Sequence, residues 1–118
     1  MGLSFKPNTD DIRESVAIPI IEQLISEGVK VTVHDPMVHK ISVPSQLSSL
    51  SVVLAKSSQE AIKGADAAII VTSWLEYVKL PAGFFKKYMK NPVVIDGRRI
   101  YDKNSFMKAG IIYKGIGL

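Results

Sequence analysis

Two runs of this chain are apolar at consecutive rather than alternate positions: DAAIIVT at 66–72 and VVID at 93–96. A strand with one wetted face alternates apolar and polar side chains, so a continuous run of strand length belongs to a strand covered on both faces. That condition is met when a parallel sheet carries helices on either side. The remaining segments supply such helices and further strands. GLSF (2–5) is a short apolar start, and KVTVHDP (30–36) is β-branched, alternating and closed by Asp-Pro. SVVLA (51–55) and IIYKG (111–115) are further strands.

Between them, Ala17, Ile20, Ile21, Leu24 and Ile25 recur at helical spacing, and Gly28 stops the helix. Its start is set either by Asp11 with Glu14 or by Ser15, and Pro19 places it close upstream. Ser57 and Glu60 form a capping box for SQEAIKGA, and GFFKKYMK and DKNSFMKAG are two more helices. From Met37 to Leu50 the periodicity fades into loop. Strands alternating with helices specify a three-layer α/β domain, with a mainly parallel sheet of about five to six strands. A chain of 118 residues is the size of one such domain.

Ligands of such sheets bind outside the carboxyl ends of the strands. Phe5-Lys6, His34-Asp35, Thr72-Ser73-Trp74 and Asp96-Gly97-Arg98 follow the first, second, fourth and fifth strands and therefore share one rim. Lys6 and Arg98 become neighbours able to grip one phosphorylated ligand. Phe5 adds an apolar surface beside a phosphate-seeking charge, and one of Arg98 and Arg99 is expected to point into the crevice while the other points out. Arg13, at a helix start that disfavours cations, either pairs with Asp10, Asp11 or Glu14 or meets an anionic ligand. Trp74 either stacks on a ligand or packs at the rim, and Asp35 reads as a turn former ahead of Pro36.

Other chemistries are excluded by what the sequence lacks. There is no cysteine, hence no disulfide, thiolate metal site or cysteine nucleophile. His34 and His39 have no metal-ligand partners at useful spacing, so no metal is assigned. A dinucleotide site needs G-x-G-x-x-G after the first strand, and GLSFKPNTDD has no such glycine pair. Residues 1–78 hold 6 Lys and Arg against 9 Asp and Glu, and residues 79–118 hold 9 against 2. That basic end could dock an anionic partner, but its cations are not interleaved with aromatics as a nucleic-acid surface requires. No stretch approaches the roughly 20 apolar residues of a membrane span, and no signal core opens the chain, so a cytoplasmic chain without a membrane partner is expected.

GLSFKPNTDDIRES, VTVHDP, AIKGADAAIIVTSWLEY and VVIDGRRI, in that order and spacing, resemble the C-terminal, nucleotide-sugar-binding domain of the UDP-glucose/GDP-mannose dehydrogenase family. The resemblance runs from Gly2 to about Gly117 and implies a Rossmann-like fold. It also implies an NAD-dependent oxidation of a UDP-sugar at its C6 hydroxyl to a carboxylate, UDP-glucose to UDP-glucuronate by default. Phe5, Lys6 and Arg98 match residues that meet the substrate, and Arg13 matches an arginine directed at the NAD pyrophosphate. NAD itself, the catalytic cysteine and the subunit pairing of a homodimer or higher oligomer belong to an N-terminal NAD-binding domain and a central helical domain, neither present in this chain. No catalytic residue is therefore assigned here. A free-standing nucleotide-binding or regulatory module without catalysis is the alternative.

Overall fold

The computed structural model describes residues 1–2, 17–37 and 52–116. Within them α1 spans Ala17–Ser26, β1 Val31–Val33, β2 Val52–Leu54, α2 Ser58–Ile62, β3 Ala68–Ile70 and α3 Leu75–Val78. Then come α4 Ala82–Tyr88, β4 Val93–Asp96, α5 Lys103–Lys108 and β5 Ile112–Gly115. The alternation read from the sequence is thus present, with one element that reading did not contain: α3, four residues long and too short to show a period.

Every strand pairing is parallel. Val31 lies beside Val52 in one ladder, and β3, β4 and β5 form a second in that order. Residues 1 and 2 join the two. The Met1 nitrogen donates to the Ile69 carbonyl at 2.7 Å, the Val71 N–H donates to the Met1 carbonyl at 2.9 Å, and the Gly2 N–H donates to the His34 carbonyl at 2.7 Å. One residue bonding to the two that flank its neighbour is the parallel pattern. The order across the molecule is therefore β2, β1, residues 1–2, β3, β4, β5, with the chain's opening in the middle. Gly2 is required there: its φ is +98°, and a Cβ would come within 2.8 Å of the Thr72 nitrogen.

Side chains alternate between two apolar layers. On one face α1 packs Ala17 and Ile21 against Val31, Val33 and Val71. On the other, Ile62, Phe85, Met89 and Phe106 from α2, α4, α5 and their flanks cover Ala68, Ile70 and Val94. Ile69 belongs to the first layer and Ile70 to the second, which is why 66–72 is apolar throughout. β4 is less evenly covered than a fully buried strand: Val94 is buried, while Val93 and Ile95 on the opposite face are half-buried. Ser57 caps α2 as its residue type predicts, accepting from the Glu60 N–H at 3.1 Å. The Glu60 carboxylate reaches back one residue further than a capping box requires and accepts from the Lys56 N–H at 3.4 Å.

Candidate functional site

Strand order reverses between residues 1–2 and β3, and the crevice outside the strand ends at such a reversal is where an open α/β sheet binds its ligands. The turn from β4 into α5 reaches into that place. Gly97 donates its N–H to the Ile70 carbonyl at 2.9 Å, which draws the turn against the end of β3. Arg98 then sends its side chain across β3, where Nε donates to the Val71 carbonyl at 2.7 Å. Its two terminal nitrogens have no partner among the described residues. A guanidinium pinned by Nε presents its remaining N–H groups as a fixed fork, the geometry that suits paired phosphate oxygens. Arg99 goes the other way: its side chain lies over Gly115 of β5, and its backbone is left-handed with φ 53°.

The turn is wound around one carboxylate. Asp96 is fully buried; Oδ1 accepts from the Arg98 N–H at 3.2 Å, and Oδ2 accepts from the Tyr101 N–H at 2.9 Å and the Tyr113 hydroxyl at 2.8 Å. Burial, and after it the hydrogen bond and charge of Asp96, push the Tyr113 phenol up to about 12. The network continues along the rim. Tyr101 donates its hydroxyl to the Tyr77 carbonyl at 2.6 Å, and Tyr77 donates its own to the His34 carbonyl at 2.9 Å. The Tyr77 oxygen must then accept from His34 Nδ1 at 2.8 Å, so the neutral imidazole carries its proton on Nδ1.

His34 Nε2 faces Glu76 Oε1 at 3.9 Å, and Ser58 donates to that same carboxylate oxygen at 3.2 Å. Burial lowers the imidazole pKa, although the charges of Glu76, Asp35 and Glu60 oppose the shift. A lowered native pKa means the unfolded chain binds this proton more readily. His34 therefore contributes stability in full above the ordinary value of 6.5, and that contribution is lost as pH falls from there toward the native value. Urea unfolding at a series of pH values should show stability declining below this point, and His34→Gln should flatten the decline. An unchanged slope in the variant would remove His34 from the account.

Asp35 stands where a dinucleotide fold places its ribose-binding acid. Its Oδ1 accepts from the Met37 N–H at 2.9 Å, the turn expected ahead of Pro36, and its Oδ2 accepts from Trp74 Nε1 at 3.3 Å. Asp35 is 3% exposed and Trp74 7%, so the carboxylate is not presented to a ribose and the indole is packing, not a stacking platform. The described residues do not fit an NAD adenosine site. Phe5, Lys6 and Arg13 lie outside the described residues. Sequence reasoning missed Asp96 as the acceptor around which the turn is wound, and with it the hydroxyls of Tyr77, Tyr101 and Tyr113, whose partners are 12 or more residues away. A cavity of about 710 Å³ between α1 and strands β1 and β3 has a mostly apolar lining that includes neither Arg98, His34 nor Asp96.

The sequence profile of the UDP-glucose/GDP-mannose dehydrogenase family, UDP binding domain, matches residues 1–103. The UDP-glucose 6-dehydrogenase of Pseudomonas aeruginosa is 34% identical over 98% of this chain, and that of Rhizobium meliloti 38% over 99%. Among solved structures, the NDP-N-acetyl-D-galactosaminuronic acid dehydrogenase of Methanosarcina mazei superposes with a TM-score of 0.78 at 29% identity over 98% of the chain. The UDP-D-ManNAc dehydrogenase of Pyrococcus horikoshii gives 0.74 at 31%, also over 98%. The chain spans about a quarter of each: 26% of the two bacterial enzymes, and 23% and 24% of the two solved chains. The match of that profile, with near-complete coverage of this chain by about a quarter of each of these relatives, leads to a single conclusion: it belongs to the UDP-glucose/GDP-mannose dehydrogenase family, as the UDP binding domain.

Proposed function

We propose that this chain binds the diphosphate of a UDP-sugar at its strand ends, as the substrate-binding part of an NAD-dependent UDP-sugar 6-dehydrogenase. Arg98 holds phosphate oxygens, and the family resemblance assigns Phe5 and Lys6 to the substrate and Arg13 to the cofactor. The reaction takes the sugar C6 alcohol to a carboxylate, with UDP-glucose as the default substrate. It consumes two NAD and one water, and the two hydrides leave as NADH. No part of that transfer is assigned to the described residues, which form no NAD site; the cofactor is bound by the parts of the relatives that this chain does not cover. Those parts are its partners, within a homodimer or larger assembly in the cytoplasm.

The observation that carries the reading is the Arg98 guanidinium, fixed by Nε on the Val71 carbonyl at the reversal of strand order, with both terminal nitrogens unpartnered among the described residues. Calorimetric titration with UDP, GDP and NAD in parallel should show UDP binding preferred, and Arg98→Ala should weaken it about tenfold, the scale of a lost charge-assisted bidentate contact. UDP affinity unchanged by Arg98→Ala would overturn the assignment.

A further inference from the structure

Arg98 can serve as a preorganised fork only if the turn that carries it is itself held, and besides the Gly97 N–H on the Ile70 carbonyl the hold comes from one side chain. The Asp96 carboxylate accepts from the Arg98 N–H on Oδ1 and from the Tyr101 N–H and the Tyr113 hydroxyl on Oδ2. The first two donors belong to the turn. The third comes from β5, so it ties the turn to a different strand. Tyr113 is half-buried, and its ring packs edge-on against Phe106 at 5.8 Å between centroids. Its hydroxyl also lies 3.4 Å from the Tyr101 carbonyl, a longer and weaker alternative to the 2.8 Å bond to Asp96. Arg99, next to Arg98, has a left-handed backbone at φ 53°, a conformation that a non-glycine residue keeps only when its surroundings impose it.

We propose that Tyr113 is a positioning residue for Arg98: its hydroxyl orients the Asp96 carboxylate, and that carboxylate sets the turn that holds the Arg98 guanidinium on the Val71 carbonyl. Tyr113 touches no ligand itself. Its effect on ligand binding passes through Arg98, and that part of the inference rests on the nucleotide reading above.

Tyr113→Phe keeps the ring and its contact with Phe106 and removes only the hydroxyl. Two readouts separate positioning from general stability. The first needs no ligand: by NMR, the Arg98 side-chain Nε–H should be protected from solvent exchange in the wild-type protein and lose that protection in Tyr113→Phe. The second is a double-mutant cycle with UDP as the probe. Tyr113→Phe should weaken UDP about fivefold, the scale of one hydrogen bond's net contribution, and should add nothing in the Arg98→Ala background. Undiminished protection of the Arg98 Nε–H in Tyr113→Phe would overturn the proposal, as would an equal loss of UDP affinity with and without Arg98. If Arg98→Ala leaves UDP binding intact while Tyr113→Phe still frees the Nε–H, the nucleotide reading falls and the positioning of Arg98 by Tyr113 stands.

Discussion

Asp96→Ala should lower the unfolding free energy by about 3 to 4 kcal/mol, among the larger losses a single substitution produces. The carboxylate is fully buried, and three donors converge on it: the N–H groups of Arg98 and Tyr101 and the Tyr113 hydroxyl. Alanine leaves all three facing a small apolar group, and an unmade buried hydrogen bond costs more than a made one contributes. Asp96→Asn is the discriminating comparison. Its single carbonyl oxygen will turn to the Oδ2 position, where two donors meet, leaving an amide NH₂ opposite the Arg98 N–H. About half the stability loss should return, since two of the three bonds survive. UDP affinity should not recover in proportion, because the bond still missing is the one that fixes Arg98. Urea unfolding and UDP titration of both variants test this. A loss below about 1 kcal/mol for Asp96→Ala would mean that the donors find other partners and the carboxylate does not organise the turn.

The contrast between Asp96 and Ser57 shows what a sequence can disclose. The Ser57 cap is readable because donor and acceptor are three residues apart and the geometry is local. Asp96 reads from sequence as the first half of an Asp-Gly turn, which it is. Its bond to the Arg98 N–H spans two residues, and its bond to Tyr113 spans 17 and depends on β5 lying beside β4. Strand periodicity identifies β3, β4 and β5 as strands without giving their order, and the order decides which tyrosine meets which carboxylate. The same limit governs the arginine pair. Alternation implies that Arg98 and Arg99 diverge, but only the placement of Val71 on one side and Gly115 on the other shows which goes where. The central position of residues 1–2 is equally a long-range fact, fixed by bonds to Ile69, Val71 and His34. Of the residues that the family resemblance marks for the site, only Arg98 lies among those described.

Gly97→Ala should cost about 2 to 3 kcal/mol, the range for forcing an extra group into a packed position, and should weaken UDP binding more than its size suggests. A Cβ built on Gly97 would come within 2.7 Å of the Ile70 carbonyl oxygen, which is main chain of the buried strand β3 and cannot swing aside as a side chain could. That oxygen accepts the Gly97 N–H at 2.9 Å, so the clash and the hydrogen bond compete for one atom. Relief requires the turn to lift away from β3, and Arg98 is the next residue. Lifting the turn breaks the approach of Nε to the carbonyl of Val71, the residue that follows β3. Stability and affinity should fall together in Gly97→Ala, whereas Arg98→Ala, an exposed side chain, should cost affinity with little stability. Thermal unfolding paired with UDP titration of the two variants separates the cases. If Gly97→Ala melts like the wild-type protein, β3 and the turn are not held at contact distance, and the preorganisation assigned to Arg98 loses its foundation.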